Sequence, residues 1–241
     1  MCKLSRLQAL DRNRLLAALP TEDHKRCVPH LRYVTFSLGQ VLYETDGRLD
    51  SVYFPTSSVI SLLYTTQDGY TAEIGVTGND GVLGIPLFLG GSTTRNRAVV
   101  QIAGGAFRMS SEVLQEEFGR GGPFQGIMLR YTQAFLTQVS QTAVCNRLHS
   151  TEKRLCRWLL LSHDRVDSDE LLMTQEFISN MLGGRRESVT VAARRLQDDG
   201  LIRYTRGHID ILDRKGLETV VCECYHIVKE ESDRLLGPFE E

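Results

Sequence analysis

Residues 174–212 constrain the fold most, because their local signals specify several successive elements. Thr174 is a predicted N-cap, and the helix after it carries an apolar face formed by Phe177, Ile178, Met181 and Leu182. Gly183 and Gly184 then permit a sharp turn, a second helix is predicted over about 185–199, and Gly200 ends it. Two β-type runs, 201–205 and 208–212, are joined by Arg206-Gly207 and predict a hairpin. This order of elements is typical of a winged helix-turn-helix.

The second predicted helix has two different faces. At 100° per residue, Val189, Ala192 and Leu196 lie on one side and predict the buried face. The opposite side suits the DNA major groove, where arginine pairs with guanine, glutamate accepts from cytosine, and threonine or valine contacts a thymine methyl. The alternative is an ordinary solvated helix face. The candidate DNA-binding residues, including the cap and the hairpin, are Thr174, Gln175, Arg185, Arg186, Glu187, Ser188, Thr190, Val191, Arg194, Arg203 and Arg206.

Positive charge is concentrated in this segment although the whole chain carries a net charge of −2. The chain is therefore no polycation, and any attraction to nucleic acid must be local. The predicted partner is double-stranded DNA. The basic residues of the segment are Arg185, Arg186, Arg194, Arg195, Arg203, Arg206, Arg214 and Lys215.

Residues 34–109 have the texture of a β-domain. Short runs rich in β-formers alternate with Asp46-Gly47, Asp68-Gly69 and further glycines. Many short strands joined by such turns predict a sandwich or barrel. Such a domain either encloses a ligand pocket, as a sensor would, or has no ligand.

A long helix is predicted over about 124–148, where no proline interrupts an apolar stripe of Phe124, Met128, Tyr131, Phe135 and Val139. Two interpretations remain open. The stripe packs on the β-domain, or part of it packs on a second copy of the chain. The second is favoured, because helix-turn-helix modules usually act as pairs on DNA half-sites. The candidate residues of this homodimer helix are Met128, Tyr131, Phe135 and Val139.

Residues 174–189 resemble the helix-turn-helix of the Crp/Fnr transcription regulators, with the Arg-Glu-Ser-Val run at 186–189 as the most specific element. The β-region is similar to the family's cyclic-nucleotide-binding jelly roll. The resemblance implies an α+β fold with a sensor domain at 1–122, a dimerisation helix at 123–148 and a winged helix-turn-helix at 149–241. It also implies a homodimer that binds a pseudo-palindromic operator, with RNA polymerase as a candidate partner.

The pocket residues depart from the family pattern. Nucleotide-binding members carry a Gly-Glu-x-Gly cassette followed by an Arg-Ser pair, whereas this chain has Gly81, Val82 and Gly84, with Arg95 and Arg97 out of register. Valine cannot accept a hydrogen bond from a ribose hydroxyl, and an unpaired buried hydroxyl is costly. We therefore expect no cofactor, and no cyclic nucleotide bound in the usual way. Val191 stands where some members place a second base-reading arginine, so the operator should differ from theirs.

The cysteines are scattered and predict reduced thiols. Some relatives hold an iron–sulfur cluster near the N-terminus, where this chain has only Cys2 and Cys27, too few for four thiolates. Cys222, Cys224 and His226 could contribute to a metal site, but the sequence shows no fourth ligand. The prediction is therefore that no metal is bound.

Other protein classes fit less well. The sequence shows no nucleophile elbow, P-loop or His-Glu-x-x-His motif, so an enzyme is not predicted. No signal peptide or membrane-spanning run is found either, which predicts a cytoplasmic protein without a membrane partner. The alternative function is a ligand-binding module that regulates a partner protein.

Overall fold

The structure is a computed structural model that describes residues 9–205 and 207–237, apart from the side chains of Gln175 and Glu176. Two short helices open it, α1 (Arg14–Ala17) and α2 (Thr21–Cys27). Asn13 caps α1, and its side-chain amide donates to the backbone carbonyls of Pro55 and Gly81, each at 2.9 Å. These buried hydrogen bonds fasten the N-terminal helices to the β-domain.

Seven antiparallel strands form the β-domain, called here the roll, in two sheets ordered β1-β7-β3 and β2-β6-β4-β5. The core between them includes Phe36, Ile60, Val100 and Ala106. The predicted sandwich or barrel is therefore confirmed, as is the α+β class. The strands are β1 (Arg32–Phe36), β2 (Val41–Tyr43), β3 (Ser51–Pro55), β4 (Val59–Thr65), β5 (Thr71–Thr77), β6 (Arg97–Ile102) and β7 (Gly104–Ser110).

Helix α3 (Ser111–Gly119) leads into the long helix α4 (Gly122–Leu148). Gly121 and Gly122 have φ values of 77° and 74°, and this left-handed backbone turns the chain between the two helices. The inner face of α4 carries Phe124 and Met128, which are fully buried against the roll and the N-terminal helices. The long helix is therefore part of the N-terminal core.

The C-terminal region begins with α5 (Thr151–His163), which Ser150 caps. The helix-turn-helix then consists of α6 (Gln175–Leu182) and α7 (Arg186–Asp198), and the predicted hairpin of β9 (Ile202–Thr205) and β10 (His208–Ile211) follows. A short strand that the sequence did not predict, β8 (Glu170–Leu172), completes a sheet ordered β8-β10-β9. One core joins this region to Val59, Leu63, Val76 and Val99 of the roll.

Two further helices end the described chain, α8 (Arg214–Val220) and α9 (Glu223–Leu236). Helix α9 runs back along α4, and Leu235 and Leu236 pack in the N-terminal core. Arg14 and Asp233 form an ion pair at 3.3 Å beside them. Within residues 9–205 and 207–237, no helix combines the length and the hydropathy needed to cross a bilayer.

Candidate nucleic-acid interface

The turn between α6 and α7 has the geometry that its sequence predicts. The Thr174 hydroxyl accepts a hydrogen bond from the backbone N–H of Phe177 at 3.1 Å, so this cap is confirmed. Gly183 ends α6 with φ 57° and ψ 38°, a left-handed conformation that glycine adopts without strain. A Cβ on Gly183 would lie 3.2 Å from Ala72 of β5, so the turn also lies directly on the roll.

The two faces of α7 are divided as the sequence predicts. Val189 and Leu196 are fully buried, and Ala192 is nearly so. The opposite side is exposed and consists of Arg186, Glu187, Ser188, Thr190, Val191 and Arg194. Val191 keeps 52% of its surface exposed, which leaves an apolar side chain among hydrogen-bonding ones. This mixture matches the chemistry of base edges in the major groove.

The arginines at the start of α7 and those further along it differ in whether a carboxylate lies close enough to form an ion pair. Among the described side chains, no carboxylate pairs with Arg185 or Arg186. Arg194 lies 3.9 Å from Asp198 and Arg195 lies 3.3 Å from Glu152, both in exposed pairs worth little energy. The free arginines therefore lie at the N-terminal end of α7, the end that usually enters the groove.

The hairpin β9–β10 carries one of the two predicted wing arginines within the described residues. Arg203 donates to Asp210 on the facing strand at 2.9 Å, so its charge is partly compensated. Arg206 lies outside the described residues, as do the side chain of Gln175 and its predicted contact. The roles of these three residues at DNA stay predictions.

Helix α5 borders α7, the recognition helix, a contact that was not predicted from the sequence. Ser150, Thr151 and Glu152, at the start of α5, line a groove of about 340 Å³ together with Glu187 and Val191 of α7. No local motif identifies this neighbour, because the contact joins helices about 35 residues apart. The groove extends the exposed surface from α7 to the junction with the long helix.

Within the roll, the predicted pocket residues differ in their surroundings. Val82 is almost fully buried, and Gly84 has φ 113° and packs against Val52. Arg95 pairs with Asp46 and Arg97 pairs with Glu44, each at 3.0 Å. Both predicted arginines therefore have a carboxylate partner on the roll, in exposed pairs worth little energy.

A cavity of about 210 Å³ does lie between the roll and α4, and Val82 and Gly84 line it. Helix α4 contributes Thr132, Phe135 and Leu136 to the same wall. Among the described residues, no charged side chain lines this cavity. Its wall is chiefly apolar, which does not suit a cyclic phosphate. The prediction that cyclic nucleotides are not bound stays a prediction.

The apolar stripe proposed for the homodimer is mostly turned inward, which corrects the sequence interpretation. Met128 is fully buried and Tyr131 is 4% exposed, and the Tyr131 hydroxyl lies 2.9 Å from the Thr77 hydroxyl. The ring of Phe135 lies against Gly75 of β5. Of the four residues, Phe135 and Val139 are half-buried. A periodic stripe shows that a helix face is buried, but not against which partner.

A second apolar stripe lies on the outer side of α4, where Leu129 and Leu136 are 46% and 60% exposed. At the heptad spacing of a two-stranded coiled coil, they align with Thr132, Val139 and Ala143. These five residues, called here the outer seam, are all exposed or half-buried. The outer seam replaces the inward stripe as the candidate dimer surface.

A buried carboxylate lies where the roll meets the C-terminal region. Glu73 of β5 is 8% exposed, and its burial raises the pKa of its carboxyl to about 7. The nearby Ser61 hydroxyl and Trp158 indole offset only part of this effect. Next to it, Gln101 accepts from Ser61 at 2.8 Å and donates to Ser162 of α5 at 2.6 Å. Polar groups therefore join the two regions inside their common core.

Known proteins resemble this chain both in its helix-turn-helix and in its overall fold. Residues 153–220 match the family model of the Crp-like helix-turn-helix domain. With the roll and the long helix before it, the chain has the architecture of a Crp/Fnr-type transcription regulator with a helix-turn-helix DNA-binding domain. The sequence resemblance to that family is thus confirmed. A comparison with curated protein sequences found no match.

Solved structures share the fold over most of the chain. A transcriptional regulator described as Crp/Fnr-family from Eubacterium rectale is similar with a TM-score of 0.66 and 20% identity, covering 87% of this chain and 98% of that one. FixK2 from Bradyrhizobium japonicum also gives 0.66, at 17% identity, covering 80% and 98%. The c-di-GMP-responsive global regulator CLP from Xanthomonas campestris gives 0.61, at 16% identity, covering 80% and 99%.

Proposed function

We propose that the chain is a sequence-specific transcription regulator that binds a pseudo-palindromic DNA operator as a homodimer. The observation that carries the proposal is the exposed face of α7, the recognition helix, where Arg186 and Glu187 are exposed at the N-terminal end of a helix whose other face is buried. In this geometry Arg186 can donate to guanine O6 and N7, and Glu187 can accept from cytosine N4. Arg194 and Thr190 extend the same face.

The homodimer is supported by the outer seam. Leu129, Leu136 and Ala143 recur every seven residues on an exposed face of α4, and Leu136 also borders the cavity between α4 and the roll. Two copies of α4 joined through this seam would carry two recognition helices related by a two-fold axis, which explains why the operator would be a pseudo-palindrome. The proposal makes the protein a DNA-binding protein rather than an enzyme. It acts on DNA in the cytoplasm, with RNA polymerase as a proposed partner.

Selection of bound fragments from genomic DNA tests this proposal directly. We expect enrichment of one sequence with two half-sites, and tighter binding to it than to a scrambled duplex of the same composition. Arg186→Ala should weaken the enrichment and relax the sequence preference at one position of each half-site. Arg95→Ala removes an exposed arginine of the roll that pairs with Asp46, so it is the matched control and should leave the enrichment intact. Binding without sequence preference in the unaltered protein would contradict the proposal and favour a module that acts on a partner protein.

A further inference from the structure

Four metal-ligating side chains meet where the long helix ends and the last helix begins. Cys145 lies near the end of α4 and His149 directly follows that helix, while Cys222 and Cys224 lie at the start of α9. The Cys145 and Cys222 Sγ atoms are 3.6 Å apart, and the Cys224 Sγ is 3.6 Å from His149 Nδ1. All four ligand atoms lie within 4.8 Å of one another. These residues are called here the Cys3His cluster.

Two of the distances between ligand atoms match a tetrahedron around one ion. With Zn–S bonds of about 2.3 Å and Zn–N bonds of about 2.0–2.1 Å, tetrahedral coordination separates two sulfurs by about 3.8 Å and a sulfur from a nitrogen by about 3.6 Å. Both observed separations fall within about 0.2 Å of these values. An iron–sulfur cluster places several atoms between its thiolates and spreads them more widely.

Side chains around the cluster can orient its histidine and balance the charge of its thiolates. Glu223 Oε1 lies 3.5 Å from His149 Nε2, so it can orient the ring while Nδ1 faces the thiols. Arg157 is 7% exposed and donates to Thr142, one turn before Cys145, at 2.6 Å. Its positive charge acts on Cys145 and offsets the net negative charge of three thiolates around a dication.

Burial alone does not explain the cluster. Cys27 is also fully buried, but it lies singly among apolar side chains of the N-terminal core, as a structural thiol does. Cys145, Cys222 and Cys224 instead form a group of their own with a histidine at its edge. Packing needs no such convergence of three thiols and an imidazole from two distant parts of the chain.

We propose that Cys145, His149, Cys222 and Cys224 bind one Zn²⁺ ion in a closed site with four protein ligands. A site closed in this way is structural rather than catalytic, because no coordination position is left for water. The ion joins the end of α4 to the start of α9 directly beside Ser150, the cap of α5. It therefore fastens the junction from which the DNA-binding region departs.

The test uses the full-length protein purified under reducing conditions. We expect about one zinc per chain by elemental analysis, and Co²⁺ in its place should give the intense visible bands of a tetrahedral thiolate site. Cys222→Ser should lose the stoichiometric metal. Cys27→Ser, which removes a buried thiol outside the cluster, should keep it. His149→Ala should weaken binding, and His149→Cys should restore it by supplying a fourth thiolate.

Several outcomes would overturn the proposal. The first is that the unaltered protein holds no more zinc than the Cys222→Ser variant, and that the reduced protein shows no tetrahedral cobalt spectrum. A Cys145–Cys222 disulfide that persists under reduction and excludes metal would make the pair a covalent link instead. Bound iron with sulfide-bridge absorption would replace the zinc assignment. The cobalt titration needs only the unaltered chain, so it decides the question even where a variant fails to fold.

Discussion

The carboxylate of Asp80 and the guanidinium of Arg165 form a two-point ion pair, with oxygen–nitrogen distances of 2.6 and 3.0 Å. Asp80 follows β5, an edge strand of the four-stranded sheet, and Arg165 follows α5. The Arg165 side chain is only 5% exposed and its stem lies against Gly78. The pair therefore joins the sensor-like roll to the DNA-binding region in a setting that water screens poorly.

Breaking this ion pair should destabilise the protein strongly. Asp80→Asn or Arg165→Met leaves one buried charge without its partner, which we expect to cost about 3–5 kcal/mol of unfolding free energy. Replacing both residues should cost much less than the sum of the two single changes, because no charge is then left unpaired. Urea unfolding of the four proteins measures this coupling. Strictly additive losses would show that the pair contributes no mutual stabilisation.

Glu73 should make the protein less stable as pH rises. Its folded-state pKa of about 7 lies above its ordinary value of 4.5, so the unfolded chain releases this proton first. Stability from the protonated carboxyl is complete below about pH 4.5 and is lost as pH rises through about 7, by on the order of 3 kcal/mol. Glu73→Gln should remove this fall, which urea unfolding at about pH 5 and about pH 8 would detect. A variant with the pH dependence of the unaltered protein contradicts the assignment.

The recognition helix and the wing should respond differently to substitution. Arg186→Ala and Glu187→Ala should each lose about 1–3 kcal/mol on the operator and relax preference at one position of each half-site. Arg206→Ala should weaken operator and scrambled DNA alike and reduce the salt slope by about one. Binding of each variant to both DNAs over a range of salt gives the comparison.

Two results would reverse this division of roles. Equal losses on operator and scrambled DNA for Arg186→Ala and Glu187→Ala would mean that these residues do not contact bases. A changed sequence preference in Arg206→Ala, with unaltered binding to scrambled DNA, would assign base recognition to the wing.

The outer seam should hold the dimer together. Leu129→Glu places a charge at an exposed position of the seam, and should shift the protein toward monomer and weaken operator binding with it. Sedimentation at micromolar concentration measures the first effect and a gel shift the second. Leu38→Glu alters an equally exposed leucine of the roll and is the control. A monomeric unaltered protein would exclude this dimer.

Cyclic AMP and cyclic GMP should bind the roll only weakly or not at all. Val82 offers no acceptor for a ribose hydroxyl, and Arg95 and Arg97 are held by Asp46 and Glu44. Titration calorimetry with either nucleotide should show no saturable heat. A dissociation constant in the low micromolar range would mean that the arginines exchange their carboxylates for phosphate.

The sequence predicted elements whose signals are local, and missed relationships that join distant parts of the chain. The Thr174 cap, the Gly183 turn and the hairpin around Gly207 each depend on a few neighbouring residues, so their positions were confirmed. Cys222 and Cys224 were recognised, but Cys145 and His149 approach them only after α9 folds back along α4. Helical periodicity likewise predicted one apolar stripe of α4 and missed the second. The two stripes together occupy much of the helix circumference, so the second does not stand out from a polar face.

Leu235 and Leu236 complete the N-terminal core, and this has a consequence for synthesis on the ribosome. Domains commonly fold in the order in which they are made. Here the N-terminal core, which also contains Leu10 and Leu15, lacks part of its apolar packing until α9 has been made. The N-terminal core therefore stays incomplete until Leu235 is made, 125 positions after the last strand of the roll ends at Ser110. Chaperone dependence during translation should accordingly be greatest for chains stalled before α9.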